Sequence, residues 1–128
     1  RAEIFPGGNY RTVFPDPEAF ISPRGVFVVL NDEEFGDVGC GGIRLLEAGR
    51  YEVKHLYVRP GGRGRGWGRQ ILDDLESRAR LWGATELVLD THHTLTAAGG
   101  LYSASGFVEI PQYNNNSNAT RWYGKSLA

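Results

Sequence analysis

The clearest pattern in the chain is a change of period. Residues 51–58, YEVKHLYV, alternate as a strand does, with Val53, His55 and Tyr57 on one side and Lys54, Leu56 and Val58 on the other. From Trp67 onward the apolar residues recur at helical spacing: Trp67, Ile71, Leu75, Ala79 and Trp82, with Leu72 beside them. Gly83 then sits where a helix C-cap glycine belongs. Between the two periods, Pro60 ends the strand ladder because it has no N–H to donate. The glycines Gly61, Gly62, Gly64, Gly66 and Gly68 remove the side chains that would hold a ligand away from the backbone. The stretch reads as strand, glycine turn and helix N-terminus.

The same reading organises the rest. Residues 1–23 carry four of the six prolines and read as an irregular lead-in, with a short turn near Pro17 to Phe20. Residues 24–31 are dense in β-formers, 32–37 form a polar turn with Gly36, and 38–46 are the partner strand of a hairpin. Gly39, Gly41 and Gly42 are unusual inside a strand and predict a close approach by a neighbouring backbone or ligand. After the central helix come a strand at 86–90, a helix at 95–105 weakened by Gly99 and Gly100, a strand at 107–110, a polar loop at 111–118 and a last strand at 119–126. That order predicts an α/β (α+β) fold with a mixed, mostly antiparallel sheet flanked by helices, not a doubly wound parallel sheet. There is no internal repeat.

Composition narrows the class. A chain of 128 residues with 41% hydrophobic and 12% aromatic residues is expected to be one folded domain over 1–128. A net charge of −1 gives no case for nonspecific nucleic-acid binding, so no nucleic-acid partner is expected. A single cysteine, Cys40, excludes an internal disulfide, fits a reducing cytoplasm, and reads as a small apolar residue rather than a catalytic thiol. No apolar run approaches the ~20 residues of a membrane helix, and no signal peptide is evident, so no membrane partner is expected. The start at Arg1 and the absence of methionine suggest a piece of a longer polypeptide.

The basic charge is local. Arg63, Arg65 and Arg69 crowd the start of the predicted helix, where the helix dipole disfavours cations unless an anion is bound. A phosphate ligand follows from this, against the plainer alternative of a solvated basic turn.

Spacing sharpens the inference. Arg63-Gly64-Arg65-Gly66-Trp67-Gly68 fits R/Q-x-x-G-x-G/A and resembles the signature of the GNAT superfamily of N-acetyltransferases. Leu56-Tyr57-Val58-Arg59-Pro60 before it and Ile71-Leu72 after it are similar to the family's central motif. Leu101-Tyr102-Ser103-Ala104-Ser105-Gly106-Phe107 resembles its L-Y-x-x-x-G-F signature. The resemblance spans roughly residues 24–127 and implies a GNAT-like sheet that lacks the family's usual N-terminal strand and helices. It implies acetyl-CoA as cofactor, with CoA as product. Backbone N–H groups from Arg63 to Gly68, together with Trp67 and the side chain of Arg69, would hold the pyrophosphate, and Leu56, Tyr57 and Val58 would pair with pantetheine. It further implies direct transfer to an amine in a ternary complex, Glu52 as the base and Tyr102 as the acid at the thiolate. Many members are homodimers. The acceptor would be a small-molecule or peptide amine, with His92, Tyr113 and Asn114 near it. One departure is Leu95, where the family often has a cofactor-contacting asparagine.

Three rivals stand beside this. The RGRG turn is similar to arginine-glycine RNA-binding segments, though it occurs once and runs directly into a helix. The glycines are spaced G-x-G-x-G, not as a dinucleotide fingerprint. A CoA-binding domain without catalysis is the third. His92 and His93 are adjacent on a strand end and point apart, so no metal site is expected.

Overall fold

The computed structural model describes residues 4–5, 8–13, 25–59, 66–92 and 96–127. The elements are β1 (Ile4–Phe5), β2 (Gly8–Val13), β3 (Gly25–Asp32), β4 (Gly36–Glu47), β5 (Arg50–Val58), α1 (Trp67–Leu81), β6 (Glu86–Thr91), α2 (Thr96–Ala104), β7 (Val108–Glu109) and β8 (Arg121–Ser126). They form one eight-stranded sheet in the order β1-β2-β3-β4-β5-β6-β8-β7. Every neighbouring pair is antiparallel except β5 and β6, which α1 connects as a crossover. The mixed, mostly antiparallel sheet follows the sequence expectation.

The lead-in departs from it. Two strands lie within residues 1–23, and β2 pairs with β3 from Asn9↔Asn31 to Val13↔Phe27. Flanking prolines mask the short run GNYRTV, whose pairing is supplied by β3 rather than by its own pattern.

The β3–β4 hairpin turns where Asp32 accepts from the backbone N–H of Glu34 and Phe35, and Gly36 takes a φ of 76°. α1 ends as read: Gly83 has a φ of 87° and its N–H donates to the Arg80 carbonyl. The helix packs on β3, β4 and β5. Val28, Ile43, Ile71 and Leu75 are fully buried in the core there. The β4 glycines permit it. A Cβ on Gly39 would lie 2.7 Å from the Tyr57 carbonyl oxygen and 2.9 Å from Ile71 Cδ1, and one on Gly41 would lie 3.0 Å from Ile71 Cγ2.

The simple alternation of β5 is corrected. Val53, Leu56 and Val58 pack on the core side, whereas His55 and Tyr57 are exposed. His55 has a φ of 57°. From Lys54 to Tyr57 β5 advances three residues while β4 advances two, from Gly42 to Cys40. This is a β-bulge, and one extra residue moves every later side chain to the other face.

Candidate active site

The bulge lies beside an opening in the sheet. β5 pairs with β6 only at Arg50↔Glu86, Tyr51↔Leu87 and Glu52↔Val88. Beyond that point β6 continues along β8, as far as Thr91↔Arg121. The edge of β5 over residues 53–58, which includes Leu56, Tyr57 and Val58, therefore has no strand partner among the described residues, while its other edge stays on β4. Unpaired strand backbone of this kind accepts an extended, amide-bearing ligand as an added strand.

The start of α1 stands at the far end of that edge. Gly66 is its N-cap with a φ of 77°, no side chain caps the first turn, and no acidic residue lies in it. An α-helix leaves the N–H groups of its first turn without intrahelical acceptors, and that end can hold an anion. A Cβ on Gly68 would lie 2.8 Å from Leu101 Cδ2 and 3.5 Å from Val58 Cγ2, so α1, α2 and the end of β5 converge there. Arg69 is exposed and paired with Asp73 at 3.3 Å. Trp67 turns its side chain into the core against Phe35, at 5.8 Å between ring centroids. Arg63, Gly64 and Arg65 lie outside the described residues, as does His93.

Tyr102, on α2, is buried against Phe107 and Tyr123. Burial first, then the charge of Asp90 and the neighbouring Tyr123, push its phenol up to about 12. It keeps its proton at any physiological pH and can serve as a hydrogen-bond donor.

On the sheet face opposite α1 a polar cluster surrounds Glu52, which is fully buried. Arg44 Nε donates to its Oε1 at 2.9 Å, and the Tyr113 hydroxyl donates to its Oε2 at 2.6 Å. Asn114 Nδ2 donates to Asp90 Oδ2 at 2.6 Å and reaches Glu52 Oε2 at 3.4 Å. Trp122 Nε1 donates to Asn114 Oδ1 at 2.9 Å. The Lys54 ammonium lies 3.7 Å from Glu52 and 3.6 Å from Asp90. Arg50 stacks over the Tyr113 ring at 5.2 Å. Burial, then the hydrogen bond to Glu52, drive the Tyr113 phenol far upward.

The structure thus brings Glu52, Tyr113 and Asn114 together. Tyr102 shares their neighbour Asp90, and His92 follows β6 directly, half-buried. Sequence reasoning did not single out Arg44 and Asp90. Arg44 pairs with Glu52 across the hairpin only through a register shift between Leu45 and Glu47, which the sequence does not announce. Asp90 carried only the weak signal of a polar end to an apolar strand. Cys40 is half-buried with its Sγ 3.5 Å from the His55 carbonyl oxygen, and burial raises its thiol.

A β-bulge beside a strand splay, an uncapped helix start and a buried tyrosine occur together here. Comparison with known proteins agrees with them. The sequence pattern of the acetyltransferase (GNAT) family matches residues 3–107. The chain belongs to that family. It is 34% identical over 95 residues to an uncharacterised N-acetyltransferase of Schizosaccharomyces pombe, covering 73% of this chain and 58% of the relative. The chain spans about half the length of the curated relatives it matches. In fold it is similar to a GNAT-family acetyltransferase of Staphylococcus aureus, with a TM-score of 0.80 and 21% identity over 88% of this chain and 74% of the other. It is similar also to a GNAT-family acetyltransferase of Elizabethkingia anophelis with acetyl-CoA bound, with a TM-score of 0.71 and 17% identity over 92% and 97%.

Proposed function

We propose that this chain is an acetyl-CoA-dependent N-acetyltransferase that transfers directly to an amine in a ternary complex. The observation that carries the reading is the parting of β6 from β5 after Glu52, which leaves the edge of β5 over 53–58 without a partner strand among the described residues, leading from the bulge to the start of α1, where no side chain caps the first turn. Family membership supports it, and so does the acetyl-CoA bound in the structurally similar Elizabethkingia protein.

The residues fit the ligand. Bound acetyl-CoA would supply the activated acetyl thioester. The backbone of Leu56, Tyr57 and Val58 would hold the pantetheine amides as an added strand. The N–H groups from Arg63 to Gly68, with the charge of Arg63, Arg65 and Arg69, would hold the pyrophosphate. Tyr102 would donate a hydrogen bond to the departing sulfur. With its phenol raised to about 12, Tyr102 is protonated at neutral pH and would stabilise the departing thiolate as a hydrogen-bond donor. Glu52 would form the anionic centre of the acceptor side, where the amine must lose its proton before attack. Tyr113, Asn114 and His92 would border a small-molecule or peptide amine.

Calorimetric titration with acetyl-CoA, with NAD as control, tests the reading. Saturable binding that is lost in an Arg63→Ala, Arg65→Ala double variant is the expected result, followed by thiol release when amines are added. Equal binding of NAD, or no binding of acetyl-CoA, would overturn it.

A further inference from the structure

We propose that Asp90 is the carboxylate that receives the acceptor's ammonium group and takes its proton, while Glu52 acts as a positioning residue. The inference rests on the acetyltransferase reading and names the oxygen that reading leaves open.

Both oxygens of Glu52 are occupied: Oε1 accepts from Arg44, and Oε2 from Tyr113 and Asn114, with Lys54 nearby. Its side chain is 1% exposed. Three donors already sit on its acceptor sites, and its burial keeps an incoming amine away from it. Asp90 is held differently. Oδ2 accepts from Asn114 at 2.6 Å, and among the described residues no hydrogen bond reaches Oδ1. Its side chain is 10% exposed. Oδ1 is therefore open to solvent and to an incoming donor. Asp90 also lies on β6 two residues beyond Val88, the last residue paired to β5, and so on the wall of the opening. Asn114, fixed by Trp122, bridges Asp90 to Glu52 and sets the angle of both carboxylates.

A second observation points to the kind of ligand. The Lys54 ammonium stands between the two carboxylates, at 3.7 Å from Glu52 and 3.6 Å from Asp90, beyond hydrogen-bond length. A primary ammonium therefore suits this site electrostatically, and the resident one leaves the shorter contacts unused. The charged or titratable groups facing Asp90 are Lys54, Glu52, Tyr113 and, through its field, Tyr102.

The step balances. R–NH3+ gives one proton to the Asp90 carboxylate, leaving R–NH2 and a carboxylic acid. The freed lone pair forms the C–N bond to the acetyl carbon, and the C–S bond breaks with its electron pair on sulfur. The second nitrogen proton goes to solvent. The proton on Asp90 passes to the thiolate, which restores the carboxylate.

Titration with n-butylammonium chloride, followed through the carboxyl 13C resonances, tests the site without knowledge of the natural acceptor. The Asp90 resonance should move more than that of Glu52, and Asp90→Asn should weaken binding by about tenfold or more. Lys54→Met, which removes the competing cation, should tighten binding about threefold or more. An unmoved Asp90 resonance, or no gain in Lys54→Met, would overturn the proposal even if Asp90→Asn does not fold. Acetyl-CoA calorimetry on the same proteins separates the two readings. Asp90→Asn should bind acetyl-CoA as the parent does, whereas a parent that binds none removes the acetyltransferase reading and leaves the ammonium site to be judged by the titration alone.

Discussion

The two sides of the β5–β6 opening are built from different materials. Toward α1 the site is backbone: a strand edge that β6 has left, a helix start and glycines where three elements meet. Toward the loop after β7 it is side chains: Arg44, Glu52, Lys54, Asp90, Tyr113 and Asn114 hold one another by hydrogen bonds and charge. Backbone sites are specified by what is removed, and side-chain sites by what is added. The first should be broken by gaining a methyl group, and the second by losing one polar atom.

Gly39→Ala should give the largest effect. Its new Cβ would meet the Tyr57 carbonyl at 2.7 Å, and that carbonyl belongs to β5 itself. Backbone cannot rotate away as a side chain can, so the strand must shift. The cost should be roughly 1–3 kcal/mol, read as a lower denaturation midpoint together with weaker acetyl-CoA binding. A midpoint equal to that of the parent would mean that β4 and β5 are not packed this closely. Gly66→Ala makes a useful contrast. Among the described residues nothing lies within 4 Å of its Cβ, yet its φ of 77° makes any side chain strained.

Tyr113→Phe attacks the other side. It removes the donor 2.6 Å from Glu52 and keeps the ring beneath Arg50. A buried carboxylate that loses one charge-assisted bond should cost about 1–3 kcal/mol. Chemical denaturation compared with Tyr113→Leu, which also removes the ring, checks whether the hydroxyl or the ring matters more. If Tyr113→Phe is as stable as the parent, the hydroxyl contributes nothing to holding Glu52.

This difference in material also explains what could be read from the chain. Backbone sites leave local traces. The period change at residues 53–82, the glycines of β4 and Gly83 all appear in consecutive residues, and each corresponds to an observed element or close approach. The polar cluster around Glu52 joins residues 61 or 62 positions apart, as in Tyr113 to Glu52 and Asn114 to Glu52, and nothing local encodes such a meeting. Tyr113 and Asn114 were legible only through their place in the closing segment. The bulge was hidden for another reason. His55 carries no glycine signal, and a strict alternation through YEVKHLYV puts Leu56 on the wrong face. The strand Gly8–Val13 was hidden because its partner, not its own sequence, makes it a strand.

Tyr102→Phe sharpens the comparison at high pH. The phenol of Tyr102 stands at about 12 in the folded chain and near ~10 when unfolded. A raised value means that this group's contribution is fully present below pH ~10 and falls away as pH rises toward 12, because the unfolded chain releases the proton first. Stability should therefore decline between those values, and Tyr102→Phe should flatten that decline by up to about 3 kcal/mol. Tyr113 titrates in the same direction, so Tyr113→Phe is the proper control for the slope.

The smallest effect should come from a pair outside the site. Glu76 on α1 receives Lys125 Nζ at 2.5 Å and Arg80 Nε at 3.1 Å, and Lys125 also donates to the Ser105 carbonyl. Burial works to raise the Glu76 carboxyl, but the hydrogen bonds and charges of Lys125 and Arg80 outweigh it and lower it overall. A depressed carboxyl stabilises the fold above its unfolded value, near ~4.3, and loses that contribution as pH falls through the folded value. Lys125→Gln should therefore reduce stability at neutral pH and make the acid limb shallower. It should leave acetyl-CoA binding unchanged, because Glu76 lies two turns beyond the start of α1. A change in binding as large as the change in stability would show that β8 and the N-terminal end of α1 are mechanically coupled. The division between a backbone-built and a side-chain-built half would then have to be redrawn to include the last strand.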